Sequence, residues 1–198
     1  MKSIRIIFMT LLSVATIALV SSCRQRGGGD NQPIPGEETD VASETVYTAI
    51  DRYIVDTLGE GYEPSEYSIP FYSYTAADFD NPDDIQVLGD FWLYNYNKAG
   101  DTLKTVSGGA YPGKMHVKKT ETGHVVTSFE AVGDGSEFTP TAKRIFGDKY
   151  DEFMAANSDD IAREAARLDA IKEFVKANGI PVKYYQDFGW PAVEIPAE

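Results

Sequence analysis

Between residues 66 and 132, strand-like segments alternate with connections that are too short to join parallel neighbours. The segments are rich in Tyr, Phe, Val and Thr, and turn-forming residues such as Asn81-Pro82 and Gly100-Asp101 separate them. A parallel pair needs a crossover of about a dozen residues or more. The pattern therefore predicts a four-stranded antiparallel meander, with strands at about 66–76, 85–96, 102–120 and 124–132.

The third predicted strand contains a segment that favours a break. Residues 107–113 include Gly108, Gly109, Pro112 and Gly113. Glycine and proline weaken strand pairing and often mark a bulge or a loop at the end of a sheet. We therefore expect a strand over 102–107 and again over 114–120, with a loop or bulge between them.

A helical pattern precedes the predicted sheet. Ser43 is a suitable N-cap, and Gly59 ends the helix. The apolar positions between them follow the spacing of three and four residues that is typical of a helix packed on one face. These positions are Val46, Ile50, Tyr53, Ile54 and Leu58.

Helical patterns return after Gly135. Short helices are predicted at about 140–146 and 148–156, and a long helix runs from Ser158 to the residue before Gly179. The chain therefore belongs to the α+β class, with an N-terminal helix, the meander, and C-terminal helices that cover one face of the sheet. The predicted buried stripe of the long helix is Ile161, Ala165, Leu168, Ile171, Phe174 and Val175.

The first 22 residues resemble the signal peptide of a bacterial lipoprotein. Lys2 and Arg5 form a positive start, and the mostly apolar residues 6–20 are fewer than the ~20 that a membrane span needs. The run Val20-Ser21-Ser22-Cys23 resembles a lipobox. The resemblance implies that residues 1–22 are removed and that Cys23 carries acyl chains such as palmitate. A plain secretory signal with an incidental cysteine is the alternative reading.

The remainder divides into a tether and one domain. Residues 23–43 are rich in glycine, proline and acidic side chains and have little to bury, so we expect them to be flexible. Residues 44–198 are expected to form a single α+β domain. Arg24 and Gln25 lack the early acidic residue that retains some lipoproteins at an inner membrane, which favours the outer membrane of a Gram-negative cell envelope.

The charge of the chain excludes several classes of partner. The formal net charge is −13, and removal of residues 1–22 leaves 16 positive against 31 negative side chains, or −15. Nucleic-acid binding needs a basic surface, and adhesion to anionic lipid by charge needs one as well. The membrane is therefore expected to be a partner through the lipid anchor alone.

Motifs for catalysis and cofactor binding are missing from the sequence. It contains no G-x-S-x-G, H-E-x-x-H, S-x-x-K or phosphate-binding loop, so we expect no catalytic residues and no cofactor. A single cysteine excludes a disulfide framework and a multi-thiolate metal site. His116 and His124 flank a predicted hairpin. A two- or four-residue turn places them on opposite faces of the sheet, and a three-residue turn places them on one face but about 13 Å apart, so we expect no metal site made of the two histidines.

An acidic turn offers a calcium hypothesis. Asp78, Asp80, Asp83 and Asp84 are close in sequence, and oxygen-rich turns suit a hard cation. Pro82 and the lack of a central glycine do not fit the EF-hand pattern. A solvated turn is the favoured reading, with calcium binding as the alternative.

The aromatic strands offer a ligand-binding hypothesis. The predicted strand 85–96 is apolar on both faces, so it is either covered twice or lines a pocket. Asp90 lies among apolar residues, where burial raises the pKa of a carboxyl. The expected pocket residues are Trp92, Tyr94, Tyr72, Tyr74 and Tyr111, with Asp90 as the acidic group.

Two segments resemble a known family. Residues 106–112 (VSGGAYP) and 134–146 (DGSEFTPTAKRIF) are similar to segments of the extracytoplasmic C-terminal extension of BlaR-type antirepressor metallopeptidases. That resemblance implies an accessory or sensing module and carries no assigned activity. The order of helix, meander and helices is also similar to the cystatin-like and NTF2-like folds, as an analogy of fold alone.

Three functions remain open at this point. The leading hypothesis is a non-catalytic cell-envelope lipoprotein that binds a small ligand or a partner protein. The second is an NTF2-like enzyme that uses Asp90 with a tyrosine for acid–base chemistry. The third is an inhibitory protein–protein module that uses residues 108–113.

Overall fold

The computed structural model describes residues 40–196. The predicted signal peptide, the proposed lipidation site Cys23 and most of the predicted tether lie outside the described residues. Helix α1 begins at Asp40, before the predicted start at Ser43, and continues into a π-helical segment, Ile54–Leu58. The other helices are α2 (Phe138–Phe146), α3 (Tyr150–Asn157) and α4 (Asp160–Asn178).

The sheet has six strands among the described residues, which differs from the predicted count of four. They are β1 (Tyr67–Asp78), β2 (Ile85–Ala99), β3 (Thr102–Thr120), β4 (Gly123–Ala131), β5 (Tyr184–Gln186) and β6 (Val193–Glu194). β2 pairs antiparallel with β1 and with β3. The outer edge of β3 is shared, because β4 pairs antiparallel with its second half and β5 pairs parallel with its first residues. The α+β class is therefore confirmed.

Strand β3 is continuous, so the prediction of a loop at residues 108–113 is wrong. The bulge that was the alternative lies just before this segment, at Val106, where the register with β2 shifts between Thr105 and Ser107. Residues 108–113 pair with β2 from Gly108 opposite Tyr94 to Gly113 opposite Gly89. A Cβ atom on Gly113 would lie 2.3 Å from the backbone oxygen of Glu130. Close packing of strands therefore explains this glycine better than a break in the chain does.

Helices cover both faces of the sheet, whereas the sequence predicted cover on one. On one face, α1 packs Val46 and Ile50 against Val87 and Phe91 of β2. On the other face, α2 and α3 form a core around Phe153, and α4 contributes Ile171 to a third core cluster. The apolar residues on both faces of β2 are therefore explained by two layers of helices.

Arg167 of α4 is among the largest fully buried side chains of residues 40–196, with 1% exposure. Its two terminal nitrogens donate to the carboxylate of Asp187 at 2.9 and 2.7 Å, and Nε donates to the Tyr96 hydroxyl at 3.0 Å. Nη2 also donates to Thr105 Oγ1 at 3.0 Å. Burial lowers the pKa of this guanidinium, but the hydrogen bonds to Asp187 and Tyr96 outweigh burial, so the pKa lies above its usual range.

The predicted buried stripe of α4 is partly wrong. Ile161 is 85% exposed, while Ile171 is fully buried and Leu168 packs beside it. Arg167 takes an inward position that the apolar pattern did not assign. A charged side chain occupies this place because Asp187, distant in sequence, supplies the opposite charge.

We expect loss of Asp187 to destabilise the fold strongly. Asp187→Ala removes the closest carboxylate of a buried guanidinium and leaves Glu164 Oε2, at 3.5 Å, as the remaining opposite charge. Removal of one partner of a buried pair typically costs about 3–5 kcal/mol. Arg167→Met should cost less, because Asp187 is 38% exposed and is rehydrated easily. Urea unfolding measures both, with Asp160→Ala at an exposed ion pair as the control, expected below about 1 kcal/mol. Equal effects of Asp187→Ala and Asp160→Ala would contradict the assignment.

Candidate functional site

The sheet separates the six residues that the sequence grouped into one pocket. Tyr72 and Tyr111 pair with Phe91 from either side and pack in the core under α1. The Tyr74 ring contacts that of Tyr72 in a tilted arrangement. Asp90, Trp92 and Tyr94 point to the opposite face, because successive side chains of a strand alternate. The structure therefore contains two candidate sites, one on each face.

A small cleft of about 170 Å³ lies between the sheet and helices α3 and α4. Asp90 and Trp92 of β2 form part of its floor. The helical wall consists largely of alanines, and their short side chains leave the space open. They are Ala156, Ala162 and Ala166.

Asp90 is the buried acidic group of this cleft, with 3% exposure. Asn157 Nδ2 donates to Asp90 Oδ2 at 3.0 Å. The second oxygen, Oδ1, is buried and has no hydrogen-bond partner in the described part of the chain. Burial raises the pKa of the Asp90 carboxyl, while Asn157, the Trp92 indole and the charge of Arg163 oppose the shift.

Charged groups of α4 border the same cleft. The Arg163 guanidinium lies 5.0 Å from the centre of the Trp92 ring, and its Nη2 donates to Asp160 Oδ1 at 2.5 Å. Asp159 accepts a hydrogen bond from the backbone of Ala162 at 2.9 Å and caps the helix. The cleft thus combines an aromatic surface, one cation that already has a partner, and two carboxylates.

Tyr94 and Tyr111 are used in packing. The Tyr94 ring centre is 3.8 Å from the Arg167 guanidinium, so one side of the ring is covered. The Tyr111 hydroxyl lies 2.9 Å from the Tyr62 hydroxyl and 3.3 Å from the carbonyl of Leu58. These contacts tie the end of the π-helical segment to β3.

The second candidate site surrounds Asp51 of α1, which the sequence analysis did not single out. The Tyr47 ring stacks on the rings of Tyr72 and Tyr74, which are tilted against each other, with centroids 4.7 to 6.1 Å apart. Asp51 is hydrogen bonded to Tyr72, and burial raises its pKa to about 6. Burial is the main cause that raises the pKa values of Tyr72 and Tyr74 above their usual range. The charge of Asp51 adds to the shift of Tyr72, and Tyr72 adds to the shift of Tyr74.

A signal for this second site was present in the sequence. Tyr47 and Asp51 are four residues apart, which places them on one face of α1, beside the apolar stripe. Tyr72 and Tyr74 are two residues apart, which places them on one face of β1. The sequence does not show how α1 packs on β1, and this packing brings Tyr47 and Asp51 next to Tyr72 and Tyr74.

His116 lies in a network of charged groups at the far end of the sheet. Its Nδ1 is 2.6 Å from Asp84 Oδ1 and its Nε2 is 3.0 Å from Glu130 Oε1. Lys114 and Arg144 also bind Glu130, at 2.8 and 3.0 Å, and with His116 they lower its pKa to about 2. Burial lowers the pKa of His116, but the hydrogen bonds to both carboxylates outweigh burial and raise it.

The acidic turn distributes its carboxylates among separate partners. Asp78 accepts a hydrogen bond from the backbone of Asp80 at 2.9 Å, and Asp83 pairs with Lys118 at 3.0 Å. Asp84 is turned towards His116. Within residues 40–196, no group of three or more side chains that ligate metals is gathered at one place.

His124 lies away from His116. It pairs with Lys119 across a two-residue turn, three residues along β3 from His116 and on the other face of the hairpin. Burial lowers the pKa of His124, and Lys119 adds to the shift. The two histidines therefore titrate in different surroundings.

Comparisons with known proteins identify no relative. No protein-family model matches the chain, and no match is found among curated proteins or solved structures. None of the helices in the described region is long and apolar enough to span a membrane.

We expect His116 to stabilise the fold more in acid than in alkali. Its pKa is raised in the folded protein, so its contribution is fully present below the unfolded pKa of about 6.5 and is lost as the pH rises through the folded pKa. His116→Gln should therefore cost on the order of 0.5–1 kcal/mol more at pH 5.5 than at pH 9, by urea unfolding. His124→Gln is the matched control with the opposite trend, because the pKa of His124 is lowered. The same trend in both variants would contradict this prediction.

We expect Asp51 to titrate near neutral pH. Its folded pKa of about 6 exceeds the ordinary value of 3.8 for an aspartate, so its ionisation destabilises the fold as the pH rises from about 4 to 7. Relative to Asp51→Asn, the wild type should lose about 2–3 kcal/mol over this range. Carboxyl carbon NMR measures the pKa directly, and Asp56→Asn at an exposed position is the control. A measured pKa near 4 for Asp51 would contradict this prediction.

Proposed function

We propose that the chain is a non-catalytic cell-envelope lipoprotein whose α+β domain binds a small ligand in the cleft beside Asp90. The observation that carries the proposal is Asp90 Oδ1, which is buried without a hydrogen-bond partner among residues 40–196. A buried acceptor left unpaired costs about 1–3 kcal/mol. A ligand with a hydrogen-bond donor would remove that cost on binding.

The chemistry of the cleft favours a small amine. An ammonium group donates hydrogen bonds, is attracted to carboxylates and binds the face of an aromatic ring such as Trp92. Asp90 and Asp159 outnumber the single cation Arg163, which is already paired with Asp160. A cleft of about 170 Å³ has room for about five water-sized groups. The proposed ligand is therefore a primary amine with a short, uncharged chain.

The anchor is proposed from the sequence. The run Val20-Ser21-Ser22-Cys23 supports lipidation of Cys23, and the composition of residues 23–43 supports a tether between lipid and domain. The membrane is then a partner through the anchor, and the outer membrane is the favoured location in a Gram-negative cell. Replacement of Cys23 by Ser should abolish incorporation of labelled palmitate in the native host.

The finer description of the fold is also a proposal. The consecutive antiparallel pairing of β1, β2, β3 and β4, with α1 packed on one face, supports a cystatin-like or NTF2-like arrangement. The resemblance of residues 106–112 and 134–146 to the BlaR-type extension supports a sensing or accessory role in the same way. Both are compatible with ligand binding in a tethered domain.

A second candidate function is acid–base catalysis, and the structure favours Asp51 for it over Asp90. Tyr94, the tyrosine on the face of Asp90, is covered by Arg167. Asp51 is hydrogen bonded to Tyr72 and has a pKa of about 6, close to the value that a general base needs at neutral pH. Tyr74 contacts Tyr72 and is 36% exposed, so the pair formed by Asp51 and Tyr72 lies close to the solvent.

The small-ligand proposal is tested with ethylamine, propylamine and ethanolamine, followed by the indole N–H signal of Trp92 in NMR. Propanol and propionate are the matched probes without an ammonium group. We expect the amines to shift the Trp92 signal, and Asp90→Asn to weaken binding about 10- to 100-fold, since a hydrogen bond to a charged group contributes about 1.5–3 kcal/mol. Asp148→Asn, at an exposed turn, should leave the affinity unchanged. Equal binding to wild type and Asp90→Asn would refute the proposal.

A further inference from the structure

The outer edge of β3 has an unpaired stretch between its two partners. β5 pairs with residues 102–104, and β4 pairs with residues 113–120. Residues 105–112 lie between them and are opposed by β2 on the inner side alone. At about 3.3 Å per residue, this stretch is about 25 Å long.

The alternation of the strand shows which backbone groups face this open edge. The carbonyl of Pro112 accepts a hydrogen bond from the backbone of Val132 at 2.8 Å, so it points away from β2. Every second residue of a strand directs its backbone groups to the same side. The N–H and C=O groups of Gly108 and Ala110 therefore point outward. Within the described chain, no residue forms a hydrogen bond with them.

Apart from a bulge at Val106, where the register with β2 shifts between Thr105 and Ser107, the stretch lacks the features that protect an edge from pairing. Residues 105–112 include no charged side chain, and Val106 is 49% exposed. Gly108 and Ala110 are exposed as well and have no bulky side chain to shield the backbone. Natural sheet edges are usually protected by charged side chains, by proline, by bulges or by a covering segment. The bulge at Val106 lies at one end of the stretch and leaves residues 107–112 in regular register with β2. Proline is present here only at residue 112, where the pairing with β4 begins.

A pocket adjoins the β5 end of this edge. It has a volume of about 350 Å³, and its lining includes Lys104, Thr105 and Phe188. Phe188 is 98% exposed, although hydrogen bonds of the neighbouring residues fix the turn that carries it. Asp187 is bound by Arg167, and its carbonyl accepts a hydrogen bond from the backbone of Trp190 at 3.1 Å. An apolar side chain at one end of an added strand would find an aromatic contact here.

We propose that residues 105–112 bind an extended peptide segment of a partner protein as an added strand. Gly108 and Ala110 exchange main-chain hydrogen bonds with the peptide, which is the mode of recognition by β-augmentation. The peptide is about six residues long because β4 and β5 limit the open length. It is uncharged, since the strip is uncharged, and a terminal apolar side chain packs on Phe188. This surface is separate from the cleft beside Asp90, so the proposal goes beyond small-ligand binding.

The test begins with a phage-displayed library of linear octapeptides selected on the full-length chain in detergent. Selected peptides are synthesised, and their dissociation constants are measured by calorimetry. Ala110→Pro removes the outward N–H without removing a bond of the sheet, and Ala110→Ser is the matched control that keeps the N–H. Val106→Lys places a charge on the strip through an exposed side chain and is a second variant that leaves the sheet bonds intact.

We expect the selected peptides to bind wild type and Ala110→Ser alike and to bind Ala110→Pro and Val106→Lys about tenfold or more weakly. In hydrogen exchange, the amides of Gly108 and Ala110 should exchange rapidly in the free protein and become protected by the peptide. Asp90→Asn should leave this binding unchanged, which separates the proposal from the function of the cleft.

Three results would overturn the proposal. One is a library that yields no peptide, or peptides that bind the variants as tightly as wild type. Another is protection of the Gly108 and Ala110 amides in the free chain that disappears when residues 24–39 are deleted, since the occupant is then a segment of the same chain. The third is protection that depends on protein concentration together with dimers in sedimentation, since the occupant is then a second copy.

Discussion

The ion pair between Arg167 and Asp187 holds together elements that are far apart in the sequence. A guanidinium is costly to bury unless its donors are satisfied. Here Tyr96 of β2, Thr105 of β3 and Asp187 of the C-terminal segment all accept from it. Arg167 therefore links α4 to two strands of the sheet and to the chain after β5, in addition to the apolar packing of Ile171 and Leu168. The same contact holds the turn that exposes Phe188.

Both proposed binding surfaces arise where neighbouring elements differ in size. The cleft beside Asp90 exists because α3 and α4 present alanines to the sheet and leave a space above Trp92. The open edge exists because β3 has 19 residues, while β4 and β5 together pair with only part of its outer side. In each place a polar group is left without a partner, a carboxylate oxygen in the cleft and backbone groups at the edge. The carboxylate oxygen is buried, whereas the backbone groups at the edge are exposed to water, and both can form hydrogen bonds with a ligand.

The sequence predicted some parts of this structure well, and the reasons for its failures are physical. The long helix was located to within a few residues because its ends carry clear signals. It begins after Asp159, whose side chain caps the N-terminus, and ends at Gly179, which adopts the left-handed conformation. The break at residues 108–113 was predicted from local composition, but packing against Glu130 and Phe129 explains the glycine at 113. Ile161 was assigned to the core by its spacing, although the inward face of α4 is decided by Arg167. Asp51 was missed because its tyrosine partners come from β1.

By itself, the sequence determined the α+β class, the approximate positions of the helices and long strands, and the acidic character of the chain. These properties depend on residue spacing and composition over short stretches, which can be read without knowing the contacts. Three features were decided by the tertiary structure alone. Tyr72 and Trp92 lie on opposite faces of the sheet, and Asp90 is buried with its Oδ1 atom unpaired among the described residues. Part of the outer edge of β3 is not paired with another strand of the described chain. Strand register and the packing of distant segments determine which groups meet and which remain unsatisfied, and local sequence contains neither.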